Sequence, residues 1–206
     1  CVFSSATLYF PAMHDSLDHL KRLIRDIPDF PKPGILFRDI TPLLADASGL
    51  ALSVELLANP FRGKNIDLVV GAESRGFIFG TAVACCLSAG FALVRKPGKL
   101  PHKKVSKTYD LEYGTDVVEI HADAVEAGSR VVLIDDLLAT GGTAAASCKL
   151  LEKLQADLVA ILFMIELDFL SGLQSYVASS PTVRSPKLND VMSVLDAHIW
   201  SQPAEK

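Results

Sequence analysis

The chain has 206 residues and a formal net charge of −4, with 50% of its residues hydrophobic. That length suits one domain with a sizeable core. The acidic balance argues against general nucleic-acid binding, and no uninterrupted apolar run is long enough to span a membrane.

Residues 1–12, CVFSSATLYFPA, precede Met13 and lack a basic n-region, so they make a poor signal peptide. An isoform extension, a processed leader and translated upstream sequence are all open for them. HDSLDHLKRLIRDI predicts a short amphipathic helix with Asp15 or Ser16 as N-cap and Leu17, Leu20 and Ile24 on one face. Pro28, Pro31 and Pro33 break it. GILFRDITP reads as extended and ends at Pro42. A helix is then expected from about Pro42 to Leu57 despite Gly49. IDLVVGAESRGFIFG is strand, loop and helix. The helix continues through TAVACCLSAG with Gly90 as its C-cap. Cys85 and Cys86, adjacent on that helix, point in different directions. With Cys1 and Cys148 they show no metal spacing, and reduced thiols in a cytosolic protein are the plain reading. FALVRK is the next strand. A basic loop follows, and two alternating segments about Gly114 make a β-hairpin or flap. Residues 130–134 form a strand buried on both faces, AAASCKLLEKLQA a helix with Leu150, Leu151 and Leu154 on one face, and DLVAILFMIEL a further strand. Strands alternating with helices imply an α/β fold with a mainly parallel sheet, and ligand loops at the strands' C-terminal ends.

Five stretches carry candidate chemistry. In PDFPKPGILFRDITP (28–42), Phe37 can stack on a flat base, backbone at Leu36 can bond a purine edge, and Arg38 can position the base. By sequence physics alone Leu36 and Phe37 are core residues, because an aromatic in an extended segment is usually packing. In GAESRGFIFG (71–80), glycines permit tight backbone and Arg75 presents a planar fork suited to phosphate oxygens. VRKPGKLPHKKVSK (94–107) concentrates positive charge in an acidic protein, as a polyanionic substrate requires. Lys96 and Lys99, beside the strand end, are favoured over Lys103 and Lys104, which are expected to be exposed. In YDLEYG (109–114), Glu112 and Tyr113 could close over a sugar and exclude water; ordinary hairpin packing is the alternative. His102 and His121 are expected to be exposed and non-catalytic.

The fifth stretch, VVLIDDLLATGGTAAA (131–146), is the most specific. Asp135 and Asp136 end a strand, and Ala139, Thr140, Gly141, Gly142 and Thr143 lead into a helix. Free N–H groups at a helix start, with the dipole behind them, hold a phosphate. The loop is neither a Walker A loop nor a G-x-G-x-x-G turn. Two carboxylates just before it suit the vicinal hydroxyls of a ribose 5-phosphate.

This string resembles the phosphoribosyl pyrophosphate (PRPP) motif of the type I phosphoribosyltransferases. PDFP-x-PG-[IV]-x-FRDI-[ST]-P and RK-x-GKLP resemble the adenine phosphoribosyltransferases among them. The resemblance covers residues 28 to about 166. It implies the type I fold, with an N-terminal hood at about 28–42 and a flap at about 99–121, in a transferase domain over 13–170. Residues 1–12 fall outside the pattern. Residues 171–206 are diverged, and if the usual last strand is missing, one sheet edge is uncovered. The resemblance implies transfer of phosphoribose from PRPP to adenine with Mg²⁺, giving AMP and pyrophosphate, in purine salvage. It places the base at Leu36, Phe37 and Arg38, and the pyrophosphate at a loop, often with a cis non-proline peptide, here near Glu73 and Ser74. Arg75 and Lys96 would neutralise the leaving group. Glu112 would handle a proton at the purine. It further implies a cytoplasmic homodimer pairing through the SRGF helix, with Mg²⁺ held mainly by PRPP and water. Another base specificity and a non-catalytic PRPP-binding regulator are the alternatives.

Overall fold

Three runs of β-branched and leucine-rich sequence make the central strands of a five-stranded sheet. A computed structural model describes residues 13–110, 115–167 and 191–196. It divides between residues 53 and 54 into two compact units.

In the first unit, α1 spans Met13–Arg22. It starts earlier than its expected cap, so Asp15 is a first-turn acid rather than the N-cap. Leu20 is fully buried, and Ile24 is buried beyond the helix end. β1 (Arg25–Ile27) pairs antiparallel with β2 (Phe37–Asp39). The register sets Arg25 opposite Asp39, and their side chains meet at 2.8 Å. The expected helix from Pro42 to Leu57 is two helices, α2 (Thr41–Ala45) and α3 (Ala47–Ala58), with α3 running on across the boundary between units. Asp46 makes the break. Its backbone is extended, and its Oδ1 accepts from Ser48 Oγ at 2.6 Å and Gly49 N at 2.7 Å. An aspartate that offers the backbone this local acceptor starts a new helix rather than continuing the old one. Pro42 opens α2, where its missing N–H has no intrahelical role.

The second unit is built on a parallel sheet. β3 (Leu68–Ala72) leads through α4 (Gly76–Leu87) to β4 (Gly90–Val94). An antiparallel hairpin follows, β5 (Lys104–Asp110) with β6 (Thr115–His121). β7 (Arg130–Leu138) leads through α5 (Gly142–Lys153) to β8 (Asp157–Glu166). β9 (Val191–Asp196) lies beside β8. The sheet order is β4-β3-β7-β8-β9, and every neighbouring pair in it is parallel. Val69, Val70, residues 131–134 and residues 161–164 are buried, as strands covered on both faces require. α4 packs on β3, β4 and β7, while α5 packs on β8 and the hairpin.

Three further expectations need correction. α4 does not end at Gly90. Ser88 takes the left-handed position at φ 55° and Gly90 opens β4. β7 does not stop before the two acids, because its ladder with β8 continues to Leu138. α5 begins at Gly142, ahead of the alanine run. The uncovered edge that the diverged C-terminal segment left open is filled by β9, which pairs with β8. Residues 1–12 lie outside the described residues, and so do the rest of 171–206, Gly114, Glu112 and Tyr113. Among the described residues no helix is long and apolar enough to cross a membrane.

Candidate active site

The chain leaves β3 toward β4 on one side and leaves β7 toward β8 on the other. β3 and β7 are neighbours, so the loops after them open into one crevice, the place where parallel sheets bind ligands. The register pairs Gly71 with Ile134, which brings residues 73–76 alongside Asp135 and Asp136. Arg75 Nε lies 2.7 Å from Asp136 Oδ2. The arginine keeps 37% of its side chain exposed, while Asp136 keeps 9%. Gly76 is required here: a Cβ on it would meet Ile134 O at 2.8 Å and Asp135 Oδ1 at 3.0 Å. Removing that atom lets the start of α4 close onto the acids. The peptide between Glu73 and Ser74 is cis, as the resemblance implied.

The two acids are held against their electrostatic preference. Asp136 N donates to Asp135 Oδ1 at 2.9 Å, so the carboxylates stay close. Burial, then the neighbouring charge of Asp136, pushes Asp135 well above the ordinary carboxylate range. Burial also pushes Asp136 up, and the Arg75 guanidinium opposes it. Beyond them, a cavity of about 80 Å³ is lined by Asp135, residues 137–144 and Phe163. Gly141, at φ 79°, is the N-cap of α5, and no side chain caps that helix. Only a residue tolerant of positive φ can turn the chain there so that the first N–H groups face the cavity. Ala139, Thr140, Gly142 and Thr143 surround the same space.

The end of β4 is organised by ion pairs. Glu73 accepts from Arg95 Nε at 3.2 Å and Nη2 at 3.1 Å, and from Lys96 N at 2.8 Å. Burial raises its pKa, but these hydrogen bonds outweigh burial and the net direction is down. Its carboxylate therefore holds the β4 exit. Lys96 Nζ bonds Asp116 Oδ2 and lies 3.1 Å from Tyr109 OH. Burial lowers the Lys96 pKa, but Asp116 and Tyr109 raise it further, for a net rise. Ser74, Lys99 and Lys103 are exposed. Lys104 is exposed by area but pairs with buried Glu119 at 2.7 Å. His102 is exposed and His121 half-buried, their rings 6.1 Å apart. Cys85 and Cys86 are both exposed, and Cys148 is buried.

In the first unit, Leu36 is 44% exposed, and the Phe37 ring meets Phe30 edge-on at 5.1 Å. Arg38 is buried, with its guanidinium on Asp26. The strand-end residues of the second unit thus come together as anticipated, whereas Lys99 is peripheral. Sequence reasoning counted Arg95 only among the basic charges of 94–107, and it missed the roles of Tyr109 and Asp116. The signal for Tyr109 and Asp116 was the hairpin alternation, which sets them opposite each other in the register.

Among the described residues no group of three or more histidine, cysteine, aspartate or glutamate side chains could hold a metal ion. Two carboxylates, one already on Arg75, fit a divalent ion that takes its remaining oxygens from phosphates and water.

Comparison with known proteins agrees with this geometry. The model of the phosphoribosyl transferase domain matches residues 43–173. The adenine phosphoribosyltransferase of Acidobacterium capsulatum is 55% identical over 166 residues, covering 81% of this chain and 92% of that protein. The crystal structure of adenine phosphoribosyltransferase from Thermoanaerobacter pseudethanolicus has a TM-score of 0.79 at 48% identity, covering 87% of this chain and 99% of that one. The Saccharomyces cerevisiae enzyme, complexed with adenine and an imino-altritol bisphosphate, has a TM-score of 0.78 at 39% identity, covering 88% and 99%. The α/β fold is the type I phosphoribosyltransferase fold, and the chain belongs to the adenine phosphoribosyltransferase family.

Proposed function

We propose that this enzyme transfers the 5-phosphoribosyl group of PRPP to adenine, giving AMP and pyrophosphate, as a step of purine salvage. One observation carries the reading: two adjacent acids, half-buried Asp135 and buried Asp136, the latter steadied by Arg75, stand beside the uncapped start of α5. The loop 139–143 binds the 5-phosphate through backbone N–H groups and the hydroxyls of Thr140 and Thr143. Asp135 and Asp136 accept from the ribose hydroxyls. Anchoring these remote groups fixes C1, so their binding energy is used for orientation. As pyrophosphate leaves, C1 gains positive character, and the two acids lend negative potential nearby. Arg75 and Lys96 neutralise the leaving group, while Glu73, Ser74 and Lys99 shape its surroundings. Mg²⁺, when bound on the pyrophosphate oxygens, supplies further charge neutralisation.

Residues 28–42 act as the hood that takes the base and residues 99–121 as the flap. The aromatic face of Phe37 stacks on adenine, backbone at Leu36 reads its edge and Arg38 holds the segment. Glu112 handles a proton at N7 and Tyr113 helps exclude water. The protein is cytoplasmic and acts as a homodimer. A monomeric mass by light scattering at micromolar concentration, in an active sample, would remove the dimer.

The deciding experiment is incubation with PRPP, Mg²⁺ and each base in turn. A backbone carbonyl that accepts from the 6-amino group and an N–H that donates to N1 fit adenine. Hypoxanthine and guanine reverse both contacts, each reversal costing roughly 1–3 kcal/mol. Adenine should therefore be preferred by about a thousandfold in kcat/KM. Comparable values for adenine and hypoxanthine would sink the assignment.

A further inference from the structure

We propose that Tyr109 is a positioning residue that holds the cation at the pyrophosphate end and the hydroxyl at the 5-phosphate end to a single point. This rests on the reading of the site as a PRPP site. The Tyr109 hydroxyl lies 3.1 Å from Lys96 Nζ, 3.1 Å from Asp116 Oδ2 and 3.1 Å from Thr143 Oγ1. The three partners come from the β4 exit, the opposite strand of the hairpin and the first turn of α5. A phenol has one proton to donate and two lone pairs to accept with, so it can serve all three at once. Lys96 donates to it, it donates to Asp116, and Thr143 donates to it.

Backbone tethers alone do not account for this junction. The hairpin is also tied to the far end of α5, where Lys153 Nζ bonds Ser106 O at 3.1 Å. Tyr109 and Lys153 thus fasten β5 to both ends of that helix, and only the Tyr109 end carries groups aimed at substrate. The Tyr109 hydroxyl is where Lys96 and Thr143 are joined. Losing it frees Lys96 to follow Asp116 alone, and frees the Thr143 rotor. Ligands for the two ends of PRPP should then both bind less well, although neither needs to touch Tyr109.

Calorimetry with ribose 5-phosphate, and separately with magnesium pyrophosphate, tests this on the full chain. Tyr109→Phe should raise both dissociation constants about fivefold to tenfold, with the melting temperature little changed. It should raise the KM for PRPP while leaving the KM for adenine within twofold. Thr143→Val gives an independent arm: it should weaken pyrophosphate as well as ribose 5-phosphate, because it reaches Lys96 through Tyr109. Normal pyrophosphate affinity in both variants would overturn the proposal while leaving the PRPP site intact. A wild-type protein that bound neither ligand would overturn the PRPP reading and this proposal with it.

Discussion

Carboxylates at the end of β7 and carboxylates around the β4 exit are treated in opposite ways. Asp135 and Asp136 are like charges adjacent in sequence, and desolvation pushes both up in pKa. Glu73, Asp116 and Glu119 each face a cation and are pulled down. For Asp116 the Lys96 hydrogen bond leads, and for Glu119 the Lys104 bond. Paired carboxylates hold the framework, because ionising them is favoured in the fold. The two crowded acids make the fold less favourable when they ionise, a pattern common at functional sites. Arg75 is the cation that meets Asp136, and it belongs to the loop proposed for pyrophosphate.

This contrast can be broken by experiment. The largest expected effect is at Asp136→Asn. It removes the proposed ribose acceptor and the Arg75 partner together, so kcat/KM for PRPP should fall about a hundredfold, while far-UV circular dichroism stays native. Near-normal activity would remove Asp136 from the site.

Asp135→Asn should lose about tenfold in kcat/KM yet melt at a higher temperature at pH 7. The sign follows from linkage: a carboxyl whose folded pKa is raised holds its proton longer when folded. Its contribution to stability is present below the ordinary carboxylate pKa and is lost as pH rises through the raised value. The asparagine variant carries no such loss, so its melting temperature should decline less between pH 4 and 7. A lower melting temperature at pH 7 would contradict the burial argument.

Glu73→Gln should show the smallest change, with the opposite sign. A carboxylate lowered in pKa contributes stability above its ordinary value, and loses it as pH falls through the lowered one. The variant should melt a few degrees lower at pH 7, at about 2–4 °C per kcal/mol for a chain of this size. Its acid limb should be flatter, and kcat/KM for PRPP should fall only about threefold as the Lys96 backbone loses a charged acceptor. An unchanged melting temperature would place Glu73 outside the framework.

Most of the second unit was legible in the chain. Runs such as VVLI and AILFM announce buried strands because parallel strands are covered on both faces. The glycines and threonines at residues 140–143 announce the turn into α5, whose free N–H groups suit the anion site proposed there. Local competition spoiled other expectations. Asp46 offered the backbone a better acceptor than a continuous helix did. Ser88 took a left-handed position that glycine was expected to fill. The ladder with β8 carried β7 past its two acids, since pairing, not side-chain hydrophobicity, ends a strand.

Sequence by itself determined the alternation of strand and helix, the order of the motifs and the position of the glycine–threonine loop before α5, since each depends on neighbours within a few residues. Tertiary structure alone decided which charges meet. Arg75 reaches Asp136, Glu73 reaches Arg95, and Lys96 reaches Asp116 and Tyr109, across 13 to 61 positions of chain. Those partners are set by sheet order and strand register, and no local periodicity carries that information.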